Sequence, residues 1–301
     1  MGKHILITGG TGLVGKHLTM LLLNRGYTVS HLSRKENNTP KVKTFLWDVQ
    51  KGTIDQSCID GVDMIVHLAG AGVADKRWTD ERKQEIVNSR TRSISLVYAL
   101  LKQYPNQVKK IISASATGYY SDRGEELMTE ESSPAGDFLG KCCIDWEQAV
   151  DEGEALGLEI LKFRTGVVLT DEGGALKQLA LPVKFGFGAA LGSGKQWIPW
   201  IHLQDTIDLY LFGIENQITG VYNMVAPNPV TNRKLTVVIA KQLHRPLWLP
   251  DIPAFTLKLF MGEMSTVVLG STKVSAEKTE QAGFQFKYPT AAAAIREIYA
   301  R

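Results

Sequence analysis

The chain opens with an apolar run, His4 to Thr8, followed by a glycine-rich stretch, Gly9 to Gly12, and then Leu13 to Leu23, where apolar positions recur at helical spacing. A short apolar run, a glycine turn and a helical pattern predict strand, turn and helix in that order. The alternation continues, with YTVSHLS, VKTFLWD, MIVHLAG and VKKIISAS reading as further strands. Before the last of these lies the longest helical stretch, about Thr79 to Gln103. There Ile86, Ile94, Val97, Leu100 and Leu101 form an apolar stripe, and Glu81, Arg82, Lys83 and Arg90 occupy other faces. Such βαβ repetition predicts an α/β fold, a Rossmann-type doubly wound parallel sheet whose ligands sit beyond the strand C-termini.

After Asp137 the pattern predicts a helix to Leu156 and a strand, LEILKFRTGVVL, before it loosens in the glycine-rich segment Gly173 to Gly194. A Trp-rich strand from Gln196 to His202, a helix from Leu203 to Glu215, the strand GVYNMV and a proline-dotted stretch from Pro246 to Pro253 follow. Residues 1–170 therefore read as a nucleotide-binding Rossmann domain, with some later elements returning to its sheet, and 171–301 as a smaller mixed α/β substrate lobe.

Composition narrows the function. A formal net charge of +3 over 301 residues, with Lys and Arg scattered, indicates neither a nucleic-acid face nor a polybasic membrane patch. The expected partner is a small-molecule substrate, with a homodimer left open. Cys58, Cys142 and Cys143 make no metal-ligand pattern and no easy disulfide, which fits a reducing cytoplasm. The apolar N-terminus is broken by the glycine turn and by Lys16 and His17, so it is neither a signal segment nor a membrane span.

The glycine turn carries the chemistry. Gly9 and Gly12 permit a tight turn and close backbone approach to phosphate, and Gly15 lets the helix pack on the strand. The N–H groups at the helix start, around Thr11, Gly12, Leu13 and Val14, attract an anion. After the second strand stand Ser33, Arg34 and Lys35, where an acid would hold the ribose hydroxyls of NAD. A guanidinium there binds a 2′-phosphate through two charge-assisted hydrogen bonds, so NADP is the expected cofactor. Asp48 ends the third strand where a carboxylate accepts from the adenine amino group. Ala69, Gly70 and Ala71 are small enough for backbone to approach the nicotinamide ribose, and His67 reads as a packed strand histidine.

TGGTGLVG, Asp48, HLAGAG, SASATGYY and FRTGVVL together resemble the extended short-chain dehydrogenases/reductases, the sugar-nucleotide epimerase and dehydratase superfamily. KRWTDERKQEIVNSR, DWE, QWIPWIH and the tail from Pro253 to Phe286 resemble an atypical branch of it, which includes human family 39U. The superfamily's usual machinery is a Ser or Thr after the fifth strand and a Tyr-x-x-x-Lys pair on the next helix, the lysine lowering the tyrosine pKa. The resemblance places Ser115 at the Ser position with Thr117 near it. It places Leu139 at the tyrosine and Cys143 at the lysine, and neither moves a proton in that way.

Tyr119 and Tyr120 are candidate replacement donors. Cys143 lacks an activating neighbour in sequence, and Glu147 shares its helix face. Arg77, Trp78 and Arg90, which match the branch, are expected to wall a substrate pocket, with Trp200 and His202 opposite. Arg164 either binds an anionic substrate or fixes its loop. The expected function is an NADP(H)-binding epimerase or oxidoreductase with a non-standard site, acting on a small polar substrate and by analogy a nucleotide sugar. The alternative is a non-catalytic NADP(H) sensor or scaffold.

Overall fold

The computed structural model describes residues 2–36 and 39–300. Its first half runs β1 (His4–Thr8), α1 (Leu13–Asn24), β2 (Thr28–Ser33), β3 (Lys43–Asp48), β4 (Thr53–Ile54), β5 (Met64–His67), α2 (Asp80–Gln103) and β6 (Lys110–Ala116). Then come β7 (Leu127–Met128), α3 (Phe138–Asp151), β8 (Glu159–Thr165), β9 (Val167–Leu169), α4 (Gly174–Lys184), β10 (Trp197–Ile198) and β11 (Trp200–His202). The chain ends with α5 (Leu203–Glu215), β12 (Gly220–Met224), β13 (Val230–Thr231), α6 (Asn232–Gln242), α7 (Ala254–Met261), α8 (Thr266–Leu269), β14 (Lys273–Val274), α9 (Glu277–Gln281) and α10 (Ala291–Tyr299).

The main sheet has eight strands in the order β12-β8-β6-β5-β1-β2-β3-β4, parallel except for the β3–β4 edge. Strands added after β1 go to one side and those from β5 onward to the other. The switch lies between β1 and β5, where a doubly wound sheet opens a crevice at its strand C-termini. Successive residues of β1 point to opposite faces, and both are covered, which explains its unbroken apolar run. Leu6 packs with Ile65, Ile111, Cys58, Ile94 of α2 and Trp146 of α3. Ile5 and Ile7 pack with Leu18 of α1 and with Ile207, Tyr210 and Ile214 of α5.

A separate cluster supports the smaller lobe: Leu176, Ala180 and Val183 of α4 meet Leu235 and Ile239 of α6 and Ile295 and Ile298 of α10. β12 lies in the main sheet beside β8. Among the described residues no helix is long and apolar enough to cross a membrane.

Several expected elements are divided by backbone chemistry. The strand expected over Leu158 to Leu169 breaks at Gly166, where a Cβ would meet the Pro199 carbonyl oxygen at 2.6 Å. β8 stays in the main sheet, and β9 leaves it to pair with β11. Pro199 likewise separates β10 from β11. The α-helix expected to Leu156 stops at Asp151 and tightens to a 3₁₀ turn, closed by Gly157 at φ 75°. α4 forms inside the glycine-rich segment, where the sequence pattern loosens.

Candidate functional site

The glycine turn is held by contacts that leave no space for side chains. Gly9 has φ +71°, and a Cβ there would lie 2.9 Å from the Leu68 carbonyl. A Cβ at Gly15 would stand 2.4 Å from the Gly9 oxygen, so α1 presses directly on the turn. Thr8 Oγ1 accepts from the Leu68 and Ala69 N–H groups at 3.2 and 3.1 Å, joining the turn to the loop after β5. No side chain caps the start of α1 and no acid lies in its first turn, so its positive end faces the crevice. Beneath the turn, Gly10 abuts the His31 ring, which lies 2.8 Å from Thr19 Oγ1. Burial pushes the His31 pKa down to about 4 and keeps the ring neutral.

Across the crevice, the Ala71 N–H donates to Ser89 Oγ at 2.9 Å. Gly70 lies against the Arg90 guanidinium, which is 9% exposed, donates to the Ile86 carbonyl and sits over the Trp146 ring at 4.9 Å. Arg90 is thus a floor beneath Gly70 rather than an open pocket wall. Arg34 is exposed just past β2, and the Ser33 hydroxyl accepts from the Lys35 N–H at 3.3 Å. Asp48 accepts from the Lys51 and Gln50 N–H groups, which hold its carboxyl below the ordinary range.

At the end of β6 the arrangement differs in kind. The Ser115 hydroxyl donates to Glu147 Oε1 at 2.6 Å. Glu147 is gripped by Arg164, with Nε to Oε1 at 2.8 Å and Nη2 to Oε2 at 2.9 Å. The remaining Arg164 nitrogen donates to the Tyr120 hydroxyl and the Glu130 carbonyl, and Tyr120 donates to Asn223 Oδ1 at 2.7 Å. The guanidinium also lies 3.4 Å from the Tyr119 ring centre. Ser115, Glu147, Arg164 and Tyr120 are all nearly inaccessible, with Tyr120 at 0%. Burial pushes the Tyr120 phenol up to about 12, against the pull of Arg164, so it keeps its proton.

Leu139 and Cys143 lie against Gly118, where a Cβ would come to 3.4 Å from Leu139 Cβ and 3.7 Å from Cys143 Sγ. Burial raises the Cys143 thiol pKa, so it is a small apolar residue and not a nucleophile. Thr117 is buried, its hydroxyl directed at the Thr165 carbonyl at 3.4 Å.

Three residues expected in a substrate pocket are engaged by structural partners. Trp200 is 1% exposed in the core of the smaller lobe, with its indole N–H donated to the Asn228 carbonyl. His202 caps α5, bonds Glu297 at 3.0 Å and packs on Tyr288, bordering a separate cavity of about 180 Å³. Arg164 has its charge engaged by Glu147 and also bonds Tyr120 and the Glu130 carbonyl. Trp78 is 9% exposed, donates to the Val73 carbonyl and packs edge-on to Phe138, while Arg77 reaches Gly262. Glu130 and Asn223 carry no signal in the sequence, because neither sits in a chemical motif and both reach the site only through the fold.

Residues 5–141 match the model of the NAD dependent epimerase/dehydratase family, and 252–298 match a domain of unknown function, DUF1731. An epimerase family protein of Staphylococcus aureus strain MRSA252 is 35% identical over 306 residues, covering 99% of this chain and 100% of that one. The chain belongs to the epimerase family. Another member, the epimerase family protein YfhF of Bacillus subtilis, is 35% identical over 300 residues, covering 99% of this chain and 98% of its own. The human epimerase family protein SDR39U1 (isoform 2), solved with NADPH, has a TM-score of 0.86 at 29% identity over 99% of both chains. A nucleoside-diphosphate sugar epimerase of Corynebacterium glutamicum has a TM-score of 0.81 at 33% identity, covering 100% of this chain and 59% of that one. Within the epimerase family, the chain is an atypical extended short-chain dehydrogenase/reductase.

Proposed function

We propose that this epimerase family member binds NADP(H) and carries out epimerase-like or oxidoreductase chemistry with a Ser115–Glu147 pair in place of the Tyr/Lys pair. The observation that carries the reading is the 2.6 Å hydrogen bond from Ser115 to Glu147 at the end of β6. The uncapped, acid-free start of α1 and the glycines packed against backbone fit a pyrophosphate. Gly9, Thr11, Gly12, Leu13, Val14 and Gly15 would hold it, Ser33 and Arg34 the 2′-phosphate, Asp48 the adenine amino group, and Ala69, Gly70 and Ala71 the nicotinamide ribose. The NADPH of the human relative supports this choice over NAD. When bound, NADP(H) donates or accepts a hydride.

The chain's own part is the proton. Because the Ser115 hydrogen is directed at Glu147, its oxygen keeps lone pairs with which to accept from a substrate hydroxyl that reaches the end of β6. As that O–H bond breaks, its proton passes to Ser115 Oγ and the Ser115 proton passes to Glu147 Oε1. Arg164 fixes the carboxylate during the exchange, and Tyr119 lies on Arg164 at the same site. A small polar substrate, a nucleotide sugar by analogy with the Corynebacterium relative, suits this hydroxyl-orienting chemistry.

The test is a mass-spectrometric search of a metabolite pool for NADP(H)-dependent conversion, run with wild type and Ser115→Ala, alongside NADPH and NADH binding. Conversion lost in Ser115→Ala with NADPH binding intact is the expected result. Conversion unchanged in the variant overturns the role of Ser115. Tight NADPH binding with no conversion in any pool moves the reading to a cofactor sensor.

A further inference from the structure

One surface of the molecule is apolar and bare. Among the described residues, α7 buries none of its eight, and Phe255, Leu259 and Phe260 are 72%, 72% and 75% exposed. Phe255 and Leu259 stand four residues apart, so they share a helix face. Beyond α4, Phe185 and Phe187 are 71% and 61% exposed, and Trp248 is 66% exposed. The segments are joined: the Trp248 indole N–H donates to the Gly186 carbonyl at 3.0 Å, and Arg245 Nε donates to the Lys184 carbonyl at 3.0 Å. The chain then reaches α7 through Ile252, whose N–H donates to the Ala190 carbonyl at 2.9 Å. On the far side of α7, Glu263 pairs with Lys83, and Met264 packs against the Trp78 cluster. α7 is therefore anchored at both ends while its apolar face stays uncovered.

The charges around this face are mostly basic. Residues 174–192 and 244–262 contain Lys177, Lys184, Arg245 and Lys258 and a single acid, Asp251, which Arg233 holds. A second copy placed face to face would bring these cations together, which disfavours self-association through this patch. Aromatic and leucine side chains rimmed by lysine and arginine match an interfacial membrane contact. We propose that this face seats the protein on an anionic lipid surface. Trp248 and the phenylalanines enter the headgroup boundary, and Lys184, Arg245 and Lys258 meet lipid phosphates. The patch is absent from any basic run in the sequence because its cations come from separate segments that the fold brings together.

The full chain would be floated with vesicles of phosphatidylcholine alone and with vesicles containing about 30% phosphatidylglycerol, at low and high salt. The expected result is flotation with the anionic vesicles only, reversed by salt. The double variant Phe255→Ser/Phe260→Ser should lower the bound fraction at least tenfold, and Lys258→Glu should lower it severalfold. Both variants alter exposed side chains, so unchanged thermal unfolding serves as the control for folding. No flotation with anionic vesicles overturns the proposal, as does equal flotation with both kinds. Concentration-dependent dimerisation in sedimentation velocity, abolished by the double variant, overturns it in favour of a second copy.

Discussion

The crevice has two ends built by different means. At the glycine turn the closest contacts, at Gly9 and Gly15, are with backbone, and almost everything that shapes the turn lies within residues 8–15 and the loop after β5. At the end of β6 the contacts run between side chains of β6, α3, β8 and β12. Ser115 and Glu147 are 32 residues apart, and Tyr120 and Asn223 are 103 apart. The first kind of site demands the absence of side chains. The second demands particular partners, so its chemistry can change while the fold around it stays.

The largest expected effect comes from forcing the usual pair back. Leu139→Tyr/Cys143→Lys places an ammonium where Cys143 is 4% exposed and where Arg164 already engages the nearby carboxylate. Burying an uncompensated charge should remove more than about 5 kcal/mol of stability, measured by urea unfolding. A stable double variant that reduces simple carbonyls would erase the distinction between the two ends. Next, Glu147→Gln strands the Arg164 guanidinium and should destabilise by about 3–5 kcal/mol, whereas Ser115→Ala, which keeps the ion pair, should lose only about 1 kcal/mol. Equal losses would mean that the network does not act as a unit.

Arg34→Ala should weaken NADPH binding by about 1.5–3 kcal/mol, roughly 10–150-fold, and leave NADH binding unchanged in a fluorescence titration. A smaller effect is expected from acid, and it falls on the glycine end. Burial first, and then the neighbouring Arg90, push the His67 pKa from 6.5 down to about 3. The unfolded chain therefore takes up the proton first. Stability is full above pH 6.5 and should fall by about 1.4 kcal/mol per unit as the pH drops toward the folded value. His31, under Gly10, adds a contribution of the same sign. Urea unfolding at pH 7 and pH 5.5 checks the slope, and His67→Asn should flatten it by one proton.

The strand, turn and helix at the start are legible in sequence because the glycine requirement is local and steric. α2 is legible too, and Thr79 caps it by accepting from the Arg82 N–H at 3.2 Å. Gly166 and Pro199 show where sequence reading is weaker: each divides an apolar run that looks continuous, because pairing partners change at those residues. Trp200 and His202 are hard to place from sequence because tryptophan and histidine serve a core or a helix cap as readily as a pocket. The Ser115–Glu147–Arg164 network was visible only as separate residues. No periodicity links a strand end to a helix face and a neighbouring strand, and only packing brings them together.

The buried cysteines give the molecule a property unrelated to its chemistry. Burial raises the Cys58 pKa to about 12, and Cys142 and Cys143 are raised as well. All three are closed off in the folded state, Cys58 beneath α2 and the other two on α3. An alkylating reagent can reach them only when the structure opens, so the rate at which each sulfur is capped counts the openings of its own neighbourhood. The protein thus carries built-in timers, Cys58 near the strand N-termini and Cys142 and Cys143 on α3, able to show which of the two neighbourhoods comes apart first.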